Sequence, residues 1–233
     1  MNEVEKFSKR KHIEEAEKYR DRIGDRLYHP ENVEPDKKHL IGDDIQRAKR
    51  VLELPCGEIV LDVGCSDGTL TIEIAKKWNP KKIIGVDISL SAIREAKEKR
   101  RKMQPSLREK ISFLQRFIED LDFPDNYFDT IYACETLEHT GPGRLEIALN
   151  NLVRMLKKNG NMVITVPNRE PAEKYVKQNR ARWDWPAHHH FFTIFNLRNL
   201  LKKYFVNVRF YPLYNGEKAK ESIFLICNCT AKK

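Results

Sequence analysis

Long apolar runs are missing from the 233-residue sequence. No stretch approaches the roughly 18 consecutive apolar residues that a bilayer-spanning helix needs. The opening residues, MNEVEKFSKRKHIEEAEKYR, have no apolar core of the kind a secretory signal requires. A cytoplasmic protein without a membrane span is expected. Cysteine is scarce and unpatterned: Cys56, Cys65, Cys134, Cys227 and Cys229 are odd in number and show no C-x-x-C spacing. Neither a disulfide framework nor a cysteine zinc site fits, so these residues should be reduced, small and mostly buried. Gln occurs only at positions 46, 104, 115 and 178 while Lys and Glu are abundant, a balance that leans toward a thermophilic host and is silent on function. Also missing are a Pro/Gly/Ser-rich linker, internal repeats and low-complexity segments. One domain over residues 55–233, preceded by a helical extension over 1–54, is the organisation these absences leave.

What is present is charged and uneven. The formal net charge is +9, and residues 151–220 carry 14 Lys or Arg against 4 Asp or Glu. That basic third could meet an anionic partner or be a lysine-rich solvated surface. Residues 3–23 place Val4, Phe7, Ile13, Ala16, Tyr19 and Ile23 at helical spacing before Pro30 and Pro35 interrupt. A second helix is expected over about 42–54. Beyond Pro55 strands and helices alternate: strand EIVLDVG, helix GTLTIEIAKKW, strand KIIGVDIS, helix SAIREAKEKRRKM, strands ISFLQRF and FDTIYAC, helix RLEIALNNLVRMLKKNG with a C-cap glycine, strand NMVITVP. Helix NLRNLLKKYF then leads to a hairpin of VNVRFYPLY and SIFLICNCTA. The expected fold is α/β: a Rossmann-like, mostly parallel, seven-stranded sheet with helices on both faces and a C-terminal antiparallel hairpin.

VLDVGCSDGTL (60–70) ends a buried strand in a loop with Gly64 and Gly68 and opens a helix, so a ligand can approach the backbone closely at the carboxyl end of the sheet. The spacing is GxxxG, which argues poorly for a pyrophosphate site. Asp87 ends the next strand and can accept from both ribose hydroxyls of a nucleoside. Loop and acid together, in this order, specify a nucleoside pocket. After the fourth strand comes ETLEH, with Glu135, Glu138 and His139 at i, i+3 and i+4. On a helix that spacing makes one face, which could hold a divalent metal (Mg, Mn or Zn) or simply meet water. A fourth ligand could come from AHHHFFT (187–193).

These motifs resemble the class I S-adenosylmethionine-dependent methyltransferases over about residues 55–230. The resemblance rests on LDVGCSDG, VDIS, EDLDFPDNYFDTI, LVRMLKKNGNMVITVPN and the terminal hairpin. It implies S-adenosylmethionine as cofactor. Gly64, Cys65 and Gly68 would then lie against the methionine part, Asp62 would help hold its amino group, and Asp87 and Ile88 would sit at ribose and adenine. Glu119 and Asp120 would meet the adenine amino group, with Cys134 a further cofactor-side residue. Arg116-Phe117 stands where many relatives carry an Asp. ETLEH with a late histidine is similar to the ubiquinone-pathway O-methyltransferases and, less closely, to the small-RNA 3′-terminal 2′-O-methyltransferases, in which Glu, Glu, His and a distant His hold a metal. That carries over to Glu135, Glu138, His139 and His188, with His189 the alternative if the register is set on Phe191. Glu135 and His139 are also the candidate catalytic pair.

The resemblance implies O-methylation of a small-molecule vicinal diol or catechol. RNA 2′-O-methylation is the alternative, favoured by the basic third and by the aromatic and Arg residues of NRARWDWPAHHHFF (179–192). A non-catalytic cofactor-binding partner subunit is a second alternative. With a small substrate, that aromatic segment, Tyr28 and the N-terminal helices would form a lid.

Overall fold

The structure is a computed structural model that describes residues 9–15, 17, 38–171, 173–174, 188–216, 218–220, 222 and 224–231. Tyr28, Pro30, Pro35, Trp183, Trp185 and most of 179–192 lie outside the described residues, as does part of the expected 3–23 helix; residues 9–15 and 17 are helical.

After helix α1 (Lys38–Glu53) the chain alternates as expected: β1 (Ile59–Val63), α2 (Thr69–Trp78), β2 (Lys82–Asp87), α3 (Leu90–Arg101), a single turn α4 (Pro105–Arg108), β3 (Ile111–Gln115) and β4 (Phe128–Cys134). Then follow α5 (Leu145–Met155), β5 (Leu156–Pro167), α6 (Ile194–Leu201), β6 (Phe205–Tyr211) and β7 (Phe224–Ala231). The seven strands lie in the order β3-β2-β1-β4-β5-β7-β6. The first five are mutually parallel, and β7 runs antiparallel to both β5 and β6.

Alternation along each strand sends side chains to two separate cores. Leu61 and Val63 of β1 join Ile131, Ile164 and the buried faces of α5 and α6, including Leu149, Leu152, Leu197 and Leu201. Val60 faces the other way, with Ile83, Tyr132 and Val163, onto Val51 of α1, Ile74 and Ala75 of α2, and Ile93 and Ala96 of α3. Local chemistry sets the helix starts. Ser89 caps α3 by accepting from the Ala92 N–H at 3.0 Å, and Thr193 with Asn196 makes a capping box on α6.

One expected boundary is wrong. The helix read through LKKNG stops at Met155, and Gly160 lies inside β5 instead of capping a helix. Leu156 is already extended (φ −79°, ψ 133°) and pairs with Phe128 of β4. Asn159 takes φ 64°, and the β4–β5 register shifts beside it. Leu156 is claimed by the sheet, which overrides the helical propensity of the lysines that follow it.

Because β1 is flanked by β2 on one side and β4 on the other, the strand order reverses there. Open α/β sheets bind ligands outside the carboxyl ends of the strands at such a point. The loops after β1, β2 and β4 all emerge at that end.

Candidate active site

Gly64 and Gly68 both take left-handed backbone, φ 70° and 75°. At Gly64 a Cβ would fall 2.1 Å from Thr136 Oγ1, so the loops after β1 and β4 can touch only because the side chain is missing. Thr136 locks that contact by donating to the Val63 carbonyl at 3.0 Å and the Cys134 carbonyl at 2.9 Å.

Both oxygens of Asp87 accept backbone N–H groups, Oδ2 from Ser66 and Oδ1 from Ser89, each at 2.8 Å. The carboxylate therefore joins the β1 loop to the start of α3. Each of its oxygens still has a lone pair for a further donor. Burial raises its pKa above the ordinary carboxylate value, against the pull of these N–H bonds. Ile88 lies beside it, its carbonyl accepting from Gln115 Nε2 at 2.9 Å.

Asp62 is buried under the loop and accepts from the Thr71 hydroxyl at 2.5 Å. Burial, with the charge of Asp87 adding to it, pushes this carboxyl up to about 7 despite the Thr71 bond. Cys65 is buried, and Cys134 closes β4 with burial raising its thiol pKa.

Glu119 and Asp120, on a 3₁₀ turn over Ile118–Asp120, are both engaged by cations. Arg144 Nη1 lies 3.4 Å from Glu119 Oε1, and Lys9 donates to Asp120 Oδ1 at 2.6 Å. Lys9 belongs to the N-terminal helical segment, which crosses this end of the sheet. His12 sits 6.0 Å, ring to ring, from both Phe117 and His189, Glu15 lies 3.9 Å from His189 Nε2, and Glu17 accepts from the Ser91 hydroxyl.

ETLEH is not helical throughout. Glu135 adopts φ 51°, and only Leu137–His139 forms a 3₁₀ turn, so the i, i+3, i+4 argument for one shared face does not apply. The left-handed step turns Glu135 toward β5. Its N–H donates to the Thr165 carbonyl at 2.9 Å, and its Oε1 accepts from the Thr165 hydroxyl at 2.8 Å. Arg47 Nε of α1 lies 3.9 Å from the same oxygen. Burial dominates here too and raises the Glu135 carboxyl to about 7, with Arg47 and Thr165 opposing.

Glu138, His139 and His188 come together instead. One potential ligand atom from each lies within 4.8 Å of the others. The rings of His139 and His188 meet edge to face with centroids 4.7 Å apart. The loop carrying His188 is pinned there because the N–H groups of His189 and His190 donate to the Glu138 carbonyl at 2.8 and 3.1 Å. Glu138 is 1% exposed, and neither of its carboxylate oxygens has a hydrogen-bond partner among the described residues. Burial, reinforced by the charge of Glu135, raises its pKa well above the ordinary value. An ionised carboxylate in that position needs a cation or a proton. His188 is held down to about 3 by burial, with His139 and His189 adding, so it is neutral and able to offer a lone pair at neutral pH. A buried carboxylate and two imidazoles suit a divalent ion with open positions.

Sequence reasoning missed Arg47, Thr136 and Thr165, which have no local signature. Only their positions across the sheet give them a role.

Residues 60–160 match a family described as a methyltransferase domain. Demethylmenaquinone methyltransferase of Bacteroides fragilis is 32% identical over 118 residues, covering 49% of this chain and 46% of that protein. The mitochondrial ubiquinone biosynthesis O-methyltransferase of Candida albicans is 30% identical over 134 residues, 57% of this chain and 39% of that one. The chain thus spans about half the length, or less, of these curated relatives. Among solved structures, magnesium protoporphyrin IX methyltransferase of Synechocystis with bound SAH is 16% identical and superposes with a TM-score of 0.66 over 89% of this chain and 92% of that chain. The family match covers β1 to the start of β5, the strands that carry the Gly64–Gly68 loop and the ETLEH segment. Residues 60–160 are thus similar to a methyltransferase domain, and the seven-stranded sheet has the fold of the Synechocystis methyltransferase.

Proposed function

We propose that the protein transfers the methyl group of S-adenosylmethionine to a hydroxyl of a small molecule carrying two neighbouring oxygens, a vicinal diol or catechol. The observation that carries this reading is the cluster that His188 forms with Glu138 and His139 of the segment after β4, the strand paired with β1, whose loop carries Gly64. The likeness to an O-methyltransferase of ubiquinone biosynthesis supports oxygen as the acceptor.

The chain's residues divide the work. Asp87 would accept from the ribose, with Ser66 and Ser89 holding it in place. Asp62, ionised, would hold the amino group of the methionine part. Holding both reactants in line supplies much of the rate by proximity. The acceptor oxygen takes the methyl group from the sulfonium as the carbon–sulfur bond breaks, and its own proton must go to a base. Where no ion is bound, His139, 22% exposed at its side chain, stands nearest the surface of the cluster and is the candidate base. A divalent ion held by Glu138, His139 and His188 would lower the pKa of a hydroxyl and orient two adjacent oxygens. The N-terminal helical segment, through Lys9, His12 and Glu17, would act as a lid over the nucleoside end.

Three measurements test this reading. S-adenosylhomocysteine should raise the melting temperature, and Asp87→Ala should remove most of that shift. Labelled cofactor should methylate a catechol probe in preference to short RNA; transfer to RNA 3′ ends alone would replace the small-molecule reading. Chelation should stop turnover without weakening cofactor binding. If chelator has no effect and His139→Ala abolishes transfer, the histidine acts as a base with no ion beside it.

A further inference from the structure

Arg47 belongs to α1, in the segment ahead of the methyltransferase domain, yet its guanidinium reaches the end of β4. Its Nη2 pairs with Asp44 at 3.1 Å, its Nη1 lies 3.5 Å from Thr165 Oγ1, and its charge sits 5.1 Å over the Phe224 ring. Its Nε is buried, makes no hydrogen bond among the described residues, and is 3.9 Å from Glu135 Oε1. The contact with Glu135 is therefore an ion pair without a hydrogen bond, weaker than the bidentate geometry Arg can offer.

Glu135 and Glu138 stand close enough for the charge of one to act on the other, and the positive charge of Arg47 acts on both. Thr165 and Arg47 hold Glu135, whereas Glu138 faces His139 and His188 with both oxygens lacking hydrogen bonds. A divalent ion at the cluster would attract the same two carboxylates that Arg47 now serves. If Glu135 left, Arg47 would keep Asp44 and Phe224, so its charge would not be buried alone.

We propose that Arg47 and a divalent cation compete for Glu135. Arg47 holds this carboxylate away from the cluster while no ion is bound. An ion drawn to Glu138, His139 and His188 takes Glu135 as a fourth ligand. Arg47 is then a positioning residue, and it ties the seating of α1 to ion occupancy. The inference rests on the cation reading of the cluster.

The test is Mn²⁺ binding to the full chain, followed by loss of the free-ion electron paramagnetic resonance signal. It uses wild type, Arg47→Met, Glu135→Gln and the double variant. Arg47→Met should tighten binding about fivefold, the upper end of what such an ion pair exerts. In the Glu135→Gln background the same substitution should change affinity by less than about twofold, because the carboxylate in dispute is gone. Equal tightening in both backgrounds would mean that removing a nearby positive charge is the whole effect, and would overturn the competition. So would tight binding by wild type that Arg47→Met leaves unchanged, although the cluster would remain a cation site. Absence of Mn²⁺ binding in all four proteins would remove the cation reading and the competition together. Melting curves check each fold, and Arg47→Gln replaces Met if the latter does not melt cooperatively.

Discussion

Lowering the pH from about 8 to about 5 should weaken binding of S-adenosylhomocysteine by roughly a hundredfold, and Asp62→Asn should abolish that dependence. Asp62 is 1% exposed and accepts a hydrogen bond from Thr71. Burial first, then the charge of Asp87, push its carboxyl up to about 7 in the ligand-free protein. If Asp62 holds the ammonium group of the ligand as proposed, the ligand needs the carboxylate, and below that value binding must first expel a proton. Each pH unit below the carboxyl's pKa then costs about a factor of ten. The sign follows: the ligand favours the ionised form, protons are released on binding, and affinity climbs with pH and levels off near 8. Stability of the ligand-free fold runs the other way. A carboxyl raised on folding from 3.8 stabilises fully below that value and loses its contribution as pH rises through about 7.

Isothermal titration calorimetry in two buffers of different ionisation enthalpy reads both the affinity and the proton count. About one proton should leave at pH near 6 and almost none at pH near 8. Glu135 is also raised to about 7, which makes the Asn variant the deciding control. An affinity flat between about pH 5.5 and 8, with no proton exchanged, would refute the coupling of Asp62 to the ligand. A dependence that survives in Asp62→Asn would assign it elsewhere.

The sheet was legible because burial on both faces leaves a strong pattern in sequence. IVLDV, KIIGVD and FDTIYAC are apolar runs too short for helices, and each is separated from the next by a capped or amphipathic helix. The glycine loop was legible for a related reason: at Gly64 the Thr136 side chain comes close enough to exclude any Cβ. ETLEH was misread as to conformation. Periodicity assumes right-handed backbone at every position, and nothing in the letters announces that Glu135 takes φ 51°. The boundary at Met155 failed similarly, since sheet pairing of Leu156 is a contact with Phe128 far away in sequence. His188 could be chosen from three consecutive histidines only through a sequence register, whereas in the fold two backbone bonds to the Glu138 carbonyl set which ring turns inward. Arg47 was not legible at all, because a charged residue in a charged helix reads as solvated until the partner strand is in place.

Gly64→Ala should lower stability by about 3 kcal/mol or more, roughly 1–2 from the left-handed backbone and the rest from displacing Thr136, as urea denaturation would show. No loss would mean that the two loops can part without penalty. If RNA is the acceptor, binding should weaken steeply between about 50 and 200 mM salt as counterion release diminishes, whereas turnover of a neutral diol should change little. Backbone strain at Glu135 can be isolated by comparing two substitutions. Glu135→Ala and Glu135→Gly both remove the carboxylate and leave Thr165 and Arg47 facing the same gap, so their difference reports the backbone alone. Left-handed geometry costs an L-residue about 1–2 kcal/mol, while the extra freedom of Gly in the unfolded chain returns about 0.4–1. The Gly variant should therefore be more stable by about 0.5–1 kcal/mol in paired urea melts, with both equally impaired in methyl transfer. If Ala is instead the more stable by about 0.4–1 kcal/mol, position 135 holds no strain, and its φ of 51° would be no sign of a conformation maintained for function.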